Sequence, residues 1–369
     1  MRIAQVAPLY ESVPPLQYGG TERVVSHLTE ELVRLGHEVT LFASGDSVTS
    51  ARLVPACERS LWNDPECRDY LAHHTRLIGM VFEDVSRFDI IHFHADYLHY
   101  PLLRHLKCRT VTTIHGRIFP RDVGGLYEQF PETPLISISD DQRRPLPNAN
   151  WQATVYHGIP RDVFRFNERA GDYLAFVGRV SPEKRVDRAI EIAGRAGMKL
   201  KVAARIDPKD EDYYRTQIEP LFQKYKSFVE FVGQIGDDEK QEFIGNATAM
   251  LFPIDWPEPF GLVMIEAMAC GTPVIAWRNG SVPEVIDEGR TGFVVDSIEG
   301  AAAAVKRVGE IDRATCRHIF EERFDVTRMA HDYLDAYSRL KPATSHAASF
   351  ADAAALPPNL TPAAAMGVV

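Results

Sequence analysis

The sequence predicts an α/β protein made of two domains, each a doubly wound parallel sheet, facing one another across a central cleft. Three observations carry this. The chain of 369 residues is longer than one hydrophobic core usually covers. Short β-branched or apolar runs alternate with stretches of helical periodicity, the pattern of βαβ units on a parallel sheet. That alternation is interrupted once, by the turn-rich polar stretch HGIPRDVFRFNERAGD (157–172), and then restarts.

In chain order, the first half offers strand-like runs at 2–7 (RIAQVA), 38–43 (EVTLFA), 89–94 (DIIHFH), 110–114 (TVTTI), 134–139 (PLISIS) and 152–156 (QATVY). Between the first two lies TERVVSHLTEELVRLG, whose Val24, Val25, Leu28, Leu32 and Leu35 recur at helical spacing before Gly36 closes the helix. The second half repeats the grammar at 173–178 (YLAFVG), 199–204 (KLKVAA), 228–233 (FVEFVG), 249–254 (AMLFPI) and 273–277 (PVIAW). The division is 1–165 for the first domain and 166–325 for the second. From about Ala343 the Ala- and Pro-rich segment has few large apolar residues, so 342–369 is expected to be a disordered tail. Two such domains leave a cleft at the carboxyl ends of both sheets, where open α/β sheets bind ligands.

Composition excludes several classes. Apolar residues make up 45% and charged residues 25%, and no apolar run approaches the roughly 18 residues a membrane helix needs. The N-terminal MRIAQVAPLYESVPP reads as a first buried strand rather than a signal peptide. Cys57, Cys67, Cys108, Cys270 and Cys316 are odd in number and scattered, with no CxxC spacing, which argues against a disulfide framework and a zinc site and for a reducing cytoplasm. A net charge of −10 disfavours broad attraction to nucleic acid, yet leaves room for a small phosphorylated ligand held by a few cations.

The most informative stretch is WPEPFGLVMIEAMACGTPVIAW (256–277). Pro257 and Pro259 fix a loop carrying Glu258, and FGLVMIEAMACG reads as a helix ending at Gly271, so its N-terminus offers unpaired N–H groups to a phosphate. Glu266 stands about a turn further in among apolar residues, where a carboxylate is costly without a partner. A ligand hydroxyl pair would supply that partner; the ordinary alternative is a partly exposed helix residue, with Glu258 a plain loop acid. In FVGRVSPEKRVDRAIEI (176–192), Arg179 and Lys184 flank a turn, either as a clamp for a diphosphate or as a solvated charge mix. This is not a Walker loop, since no GxxxxGK[ST] occurs. In LQYGGTERVV, Gly19 and Gly20 permit close backbone approach at a helix entry where Thr21 is a plausible N-cap. His115 ends a strand in TTIHGR, placed for a sugar hydroxyl or for proton transfer, or simply structural. His92, His94 and His99 lack a further ligand pattern and are read as packing and hydrogen-bonding groups, with no metal assigned. Ser139, Asp140 and Asp141 are read as N-capping residues.

Together these segments resemble the retaining glycosyltransferases of the group-1 type (family 4), which have the two-domain GT-B architecture. The resemblance spans roughly 1–340. EPFGLVMIE matches the family's E-x7-E signature, VGRVSPEK its Gly-Arg…Lys segment, YGGTERV its Gly-Gly loop and TIHG its first-domain histidine. It implies a sugar moved from a nucleoside-diphosphate donor such as a UDP-, GDP- or ADP-sugar to a hydroxyl acceptor, with no metal and no cofactor. By the same resemblance Arg179 and Lys184 hold the diphosphate, Glu266 the ribose hydroxyls, and Glu258 the donor sugar. Phe260, Gly261 and Leu262 add backbone N–H groups, His115 approaches the sugar from the opposite domain, and Gly19 and Gly20 line the phosphate and acceptor side. A last helix, 326–341, is expected to cross back onto the first domain.

The sequence departs from the family in two places: His157 stands where many members carry Asn, and VAARID lacks a Gly-x-Gly often found there. Other readings are another GT-B enzyme, such as a sugar-nucleotide epimerase or phosphorylase, or a non-catalytic nucleotide-sugar-binding protein. Acidic residues interrupt the basic face of 66–88, so no membrane-binding helix is expected. The acceptor's loops are expected within 45–70 and 119–132, while the acceptor itself and the oligomeric state are left unassigned.

Overall fold

The structure is a computed structural model that describes residues 1–16, 19–105 and 108–341; the tail expected to be disordered lies outside the described residues. The first half contains strands β1 (Arg2–Val6), β2 (Glu38–Ser44), β3 (Arg52–Cys57), β4 (Ile90–Phe93), β5 (Arg109–Thr113), β6 (Leu135–Ser137) and β7 (Trp151–Thr154). Helices α1 (Gly20–Arg34), α2 (Tyr70–Glu83), α3 (Tyr100–Leu103) and α4 (Pro120–Gln129) connect them. The second half contains β8 (Tyr173–Arg179), β9 (Lys199–Arg205), β10 (Val229–Gly233), β11 (Ala249–Phe252), β12 (Val274–Trp277) and β13 (Gly292–Val295). Its helices are α5 (Val186–Ala196), α6 (Glu211–Tyr213), α7 (Glu219–Lys224), α8 (Asp237–Gly245), α9 (Leu262–Ala269), α10 (Val282–Val285), α11 (Ile298–Arg307), α12 (Arg313–Arg323) and α13 (Val326–Arg339).

Both sheets are parallel throughout, in the orders β3-β2-β1-β4-β5-β6-β7 and β10-β9-β8-β11-β12-β13. Strand order reverses between β1 and β4 in one sheet and between β8 and β11 in the other, so each sheet opens a crevice at the carboxyl ends of those strands. Central strands read as continuous apolar runs because helices cover both faces: β4 and β11 are buried along their whole length. In α1 the apolar stripe is Val24, Val25, Leu28 and Leu32, all fully buried.

Helix α13 follows the second domain in sequence but packs into the first domain's core. Met329, Ala330, Tyr333, Ala336, Tyr337 and Leu340 lie against Ile3, Val24, Leu28 and Ile90. Tyr333 and Tyr337 are completely buried, and each such side chain contributes on the order of 2 kcal/mol of apolar burial. The domains also meet directly. The Glu284 carboxylate accepts from the backbone N–H groups of Asp140 and Asp141, both at 2.7 Å, and from the Tyr156 hydroxyl at 3.0 Å.

Local differences from the sequence reading have physical causes. Thr21 does not cap α1, which begins two residues earlier than such a cap would give, with Gly19 at the N-cap and no side-chain cap bond. Ser139 does cap its turn, with its hydroxyl accepting from Gln142 N–H at 3.2 Å, whereas the Asp140 carboxylate instead accepts from the Thr154 hydroxyl at 2.5 Å. The stretch 119–132, read as a variable loop, contains the helix α4.

Candidate functional site

The cleft is built where both strand orders reverse. The loops after β1, β4 and β5 face those after β8 and β11, and together they enclose a cavity of about 550 Å³, within the usual range for small-molecule sites. Gly19, Gly20, His115, Arg179, Lys184, Glu258, Phe260, Gly261, Leu262 and Glu266 all line it. Ten residues spread from Gly19 to Glu266 therefore converge on one space.

On the second-domain side the cations are held in ion pairs. Lys184 Nζ lies 2.5 Å from Glu258 Oε2, which also accepts from Trp256 Nε1 at 2.9 Å. The ammonium sits over the rings of Trp256 and Phe252, at 5.4 and 5.6 Å. Arg179 is surrounded by three carboxylates, pairing with Glu183, with Asp207 at 3.3 Å and with Asp210 at 3.4 Å. The loop that carries Glu258 is fastened to the next βα connection: Ser281 N–H donates to Glu258 O at 2.9 Å and Ser281 Oγ–H to Phe260 O at 2.8 Å. Gly261 then adopts φ 80 as the N-cap of α9, a conformation a side chain would strain.

Glu266 is 2% exposed. Its carboxylate is compensated by Lys240 of α8, whose Nζ is 2.5 Å from Oε2. Lys240 lines the same cavity, so Glu266 is both paired and presented to a ligand. Sequence reasoning missed Lys240, because it sits in the polar run DDEKQEF with no motif around it; its role follows only from α8 packing beside α9.

On the first-domain side His115 is one end of a buried hydrogen-bond chain. With the amide oxygen of Gln5 accepting from His94 Nε2–H at 2.6 Å, His94 Nδ1 is bare and accepts from His115 Nε2–H at 2.8 Å. Gln5 Nε2–H donates onward to the Tyr337 hydroxyl of α13 at 3.3 Å, and that hydroxyl donates to His92 Nδ1 at 2.6 Å. His92 Nε2–H continues to Thr113 Oγ1 at 2.7 Å. Burial pushes the His115 pKa down to about 3 and lowers those of His92 and His94 well below the usual range. The near-neutral titration expected of His115 is therefore corrected by desolvation: at pH 7 it is a neutral hydrogen-bonding group. His99 is likewise buried and donates to or accepts from Thr112 Oγ1 at 2.8 Å.

His157 joins the two sides. Its ring stacks on His115 at 5.3 Å and meets Phe260 edge-on at 4.8 Å. The Nδ1 atoms of His115 and His157 are buried without a hydrogen-bond partner among the described residues. Gly20 faces the opposite domain directly, for a Cβ there would lie 3.8 Å from Leu262 Cδ1. Glu22, in the first turn of α1, also lines the cavity, and burial raises its carboxyl to about 7.

The family model described as "Glycosyl transferases group 1" matches residues 161–320, and that described as "Glycosyltransferase Family 4" matches residues 18–170. The glycogen synthase of Mycobacterium tuberculosis is 28% identical over 363 residues, covering 84% of this chain and 86% of that protein. Among solved structures, sucrose-phosphate synthase from Thermosynechococcus elongatus superposes with a TM-score of 0.74 at 20% identity, covering 92% of this chain and 98% of the other. HepE from Anabaena, solved in complex with UDP-glucose, gives a TM-score of 0.69 at 16% identity over 92% of this chain and 99% of that one. Two facing parallel-sheet domains with a cleft between them define the GT-B fold. The chain belongs to the group-1, family 4 glycosyltransferases and is an enzyme of that class. No helix among the described residues is long and apolar enough to cross a membrane.

Proposed function

We propose that the protein moves a hexose from a nucleoside-diphosphate sugar to a hydroxyl acceptor with retention of anomeric configuration, using side-chain cations rather than a metal ion. The observation that carries this is the convergence of Arg179, Lys184, Glu258, Glu266 and His115 on a single cavity. A neighbour of the same fold, HepE, was crystallised with UDP-glucose, which supports a donor of that chemical kind.

The leaving diphosphate accumulates negative charge as the glycosidic bond breaks, and preorganised cations at that position lower the barrier. Lys184 and Arg179 supply them, with the N-terminus of α9 adding backbone N–H groups from Phe260 to Leu262. Their carboxylate partners orient the cations, and the diphosphate shares or replaces those contacts. Glu266 accepts from the ribose hydroxyls and Glu258 from the donor sugar. His115, neutral, hydrogen-bonds the sugar from across the cleft. Retention follows from acceptor attack on the face the diphosphate leaves, with a diphosphate oxygen taking the acceptor proton. Action in the cytoplasm is part of the reading, supported by five cysteines that are all free thiols.

The deciding experiment is nucleoside diphosphate release by the purified protein from UDP-, GDP- and ADP-sugars, with and without an acceptor mixture. Release of one diphosphate, accelerated by acceptors and unaffected by a chelator, is expected, with the product anomer matching the donor by NMR. Chelator-sensitive turnover or an inverted product would overturn the corresponding part of the reading.

A further inference from the structure

A second cavity, of about 380 Å³, lies in the first domain between the loop after β1, the start of α2 and the loop after β4. It shares Pro8, Tyr10 and Asp96 with the donor cleft, so the two spaces adjoin there. None of the residues given a donor contact above lines it. We propose that this cavity is the acceptor site and that the acceptor is an uncharged saccharide; the inference rests on the glycosyltransferase reading.

The shape and surface of the lining point to that class. Tyr10, Tyr70 and Tyr97 present aromatic surface. The Tyr10 ring is braced edge-on by Tyr70 at 6.0 Å and packs on His74 at 4.8 Å. His74 is satisfied on both ring nitrogens, donating from Nδ1 to Tyr70 O at 2.7 Å and accepting Leu9 N–H at Nε2 at 3.2 Å. It thereby ties the loop after β1 to the first turn of α2, and the cavity wall is fixed before a ligand arrives. Aromatic faces carry partial negative charge and suit the C–H-rich face of a pyranose. Tyr70 and Tyr97 are each 43% exposed. Leu71 and Leu98 of the same lining are exposed as well, and apolar side chains grouped at one cavity mark an interaction site.

Charge narrows the class further. The formal charges in the lining are Arg68 against Asp69 and Asp96, one cation to two carboxylates. A phosphorylated or carboxylated acceptor would meet net repulsion there. A wholly apolar aglycone would bury those carboxylates without partners, at a desolvation cost. A neutral polyol avoids both penalties, since its hydroxyls donate to the carboxylates while its ring lies on tyrosine. Of the two stretches in which acceptor loops were expected, 45–70 contributes only its end, Arg68 to Tyr70, and 119–132 contributes nothing to this cavity.

The test is saturation-transfer NMR on the full chain, with maltose, cellobiose and methyl glucoside as neutral probes, glucose 6-phosphate as the anionic one, and UDP, GDP and ADP as donor-side controls. At least one neutral saccharide is expected to receive saturation and glucose 6-phosphate none. Tyr70→Ala and, separately, Tyr97→Ala should weaken that binding about tenfold while nucleoside diphosphate binding stays unchanged, which also shows the variants folded. Preference for glucose 6-phosphate, neutral-sugar binding indifferent to both substitutions, or nucleotide binding with no saccharide bound would each overturn the proposal. If no nucleoside diphosphate binds, the glycosyltransferase reading fails first and the acceptor proposal with it.

Discussion

Lys184 shows how far single residues can be read. Its position two residues before a helix was legible, but the partner that holds it, Glu258 at 2.5 Å, is 74 residues away and belongs to another loop. On the proposed role, replacing Lys184 by Ala removes one of the two cations assigned to the leaving diphosphate, so turnover should fall about 10²- to 10³-fold in a nucleoside diphosphate release assay. Turnover within a few-fold of wild type would sink the assigned role. Glu22 went unread altogether, because a glutamate in a first helical turn is ordinary in sequence and its burial is a tertiary fact. Its folded pKa, about 7, lies above the unfolded value of 4.5, so the folded state holds its proton more tightly. Its cost is therefore absent below about pH 4.5, grows as pH rises, and is complete above about pH 7. Glu22→Gln should stabilise the protein at pH 8 by up to about 3 kcal/mol and change little at pH 4.5. Melting curves at the two pH values check this, and equal shifts at both would refute it.

At the scale of elements, every central strand was legible, and of the four edges β7 and β10 were read while β3 and β13 were not. The strand β3 contains Pro55, which removes a ladder donor and marks an edge position, where the order β3-β2-β1 places it. The other missed strand, β13, is also an edge and starts at Gly292, where any Cβ would overlap the carbonyl of Val274. Both depend on backbone contacts that residue patterns do not carry. The same holds for the loop bearing Glu258. Gly280 has φ 58, and a Cβ there would overlap the backbone N and O of Glu258. Gly280→Ala should therefore displace the Glu258 loop without touching a ligand, lowering kcat at least about tenfold and stability by about 1–3 kcal/mol. Steady-state kinetics together with urea unfolding would measure both, and an unchanged kcat would show that the loop's position is set elsewhere.

At the scale of the whole molecule, the two-domain plan and the cleft between the domains followed from the repeated βα grammar, which is why the ten residues singled out in sequence share one cavity. That α13, last in sequence among the described helices, packs onto the first domain was expected from the family resemblance; what the sequence could not convey is that it reaches toward the site through polar contacts. Tyr337 accepts from Gln5 at 3.3 Å and lies 2.6 Å from His92, and Gln5 is bonded to His94, which holds His115. Tyr337→Phe keeps the ring and its apolar packing but leaves Gln5 Nε2 and His92 Nδ1 buried without that partner. Each such group costs about 1–3 kcal/mol, so Tm should fall by several degrees. The loss should also reach the site: freed of its anchor, the Gln5 amide can turn, and with it the proton pattern that fixes the faces of His94 and His115. A rise in donor KM would accompany the lower Tm, whereas Tyr333→Phe, whose hydroxyl accepts only from Thr113 at 3.2 Å at the far end of the chain, should lower Tm with less effect on KM. Equal KM in both variants and wild type would mean that α13 serves the core alone.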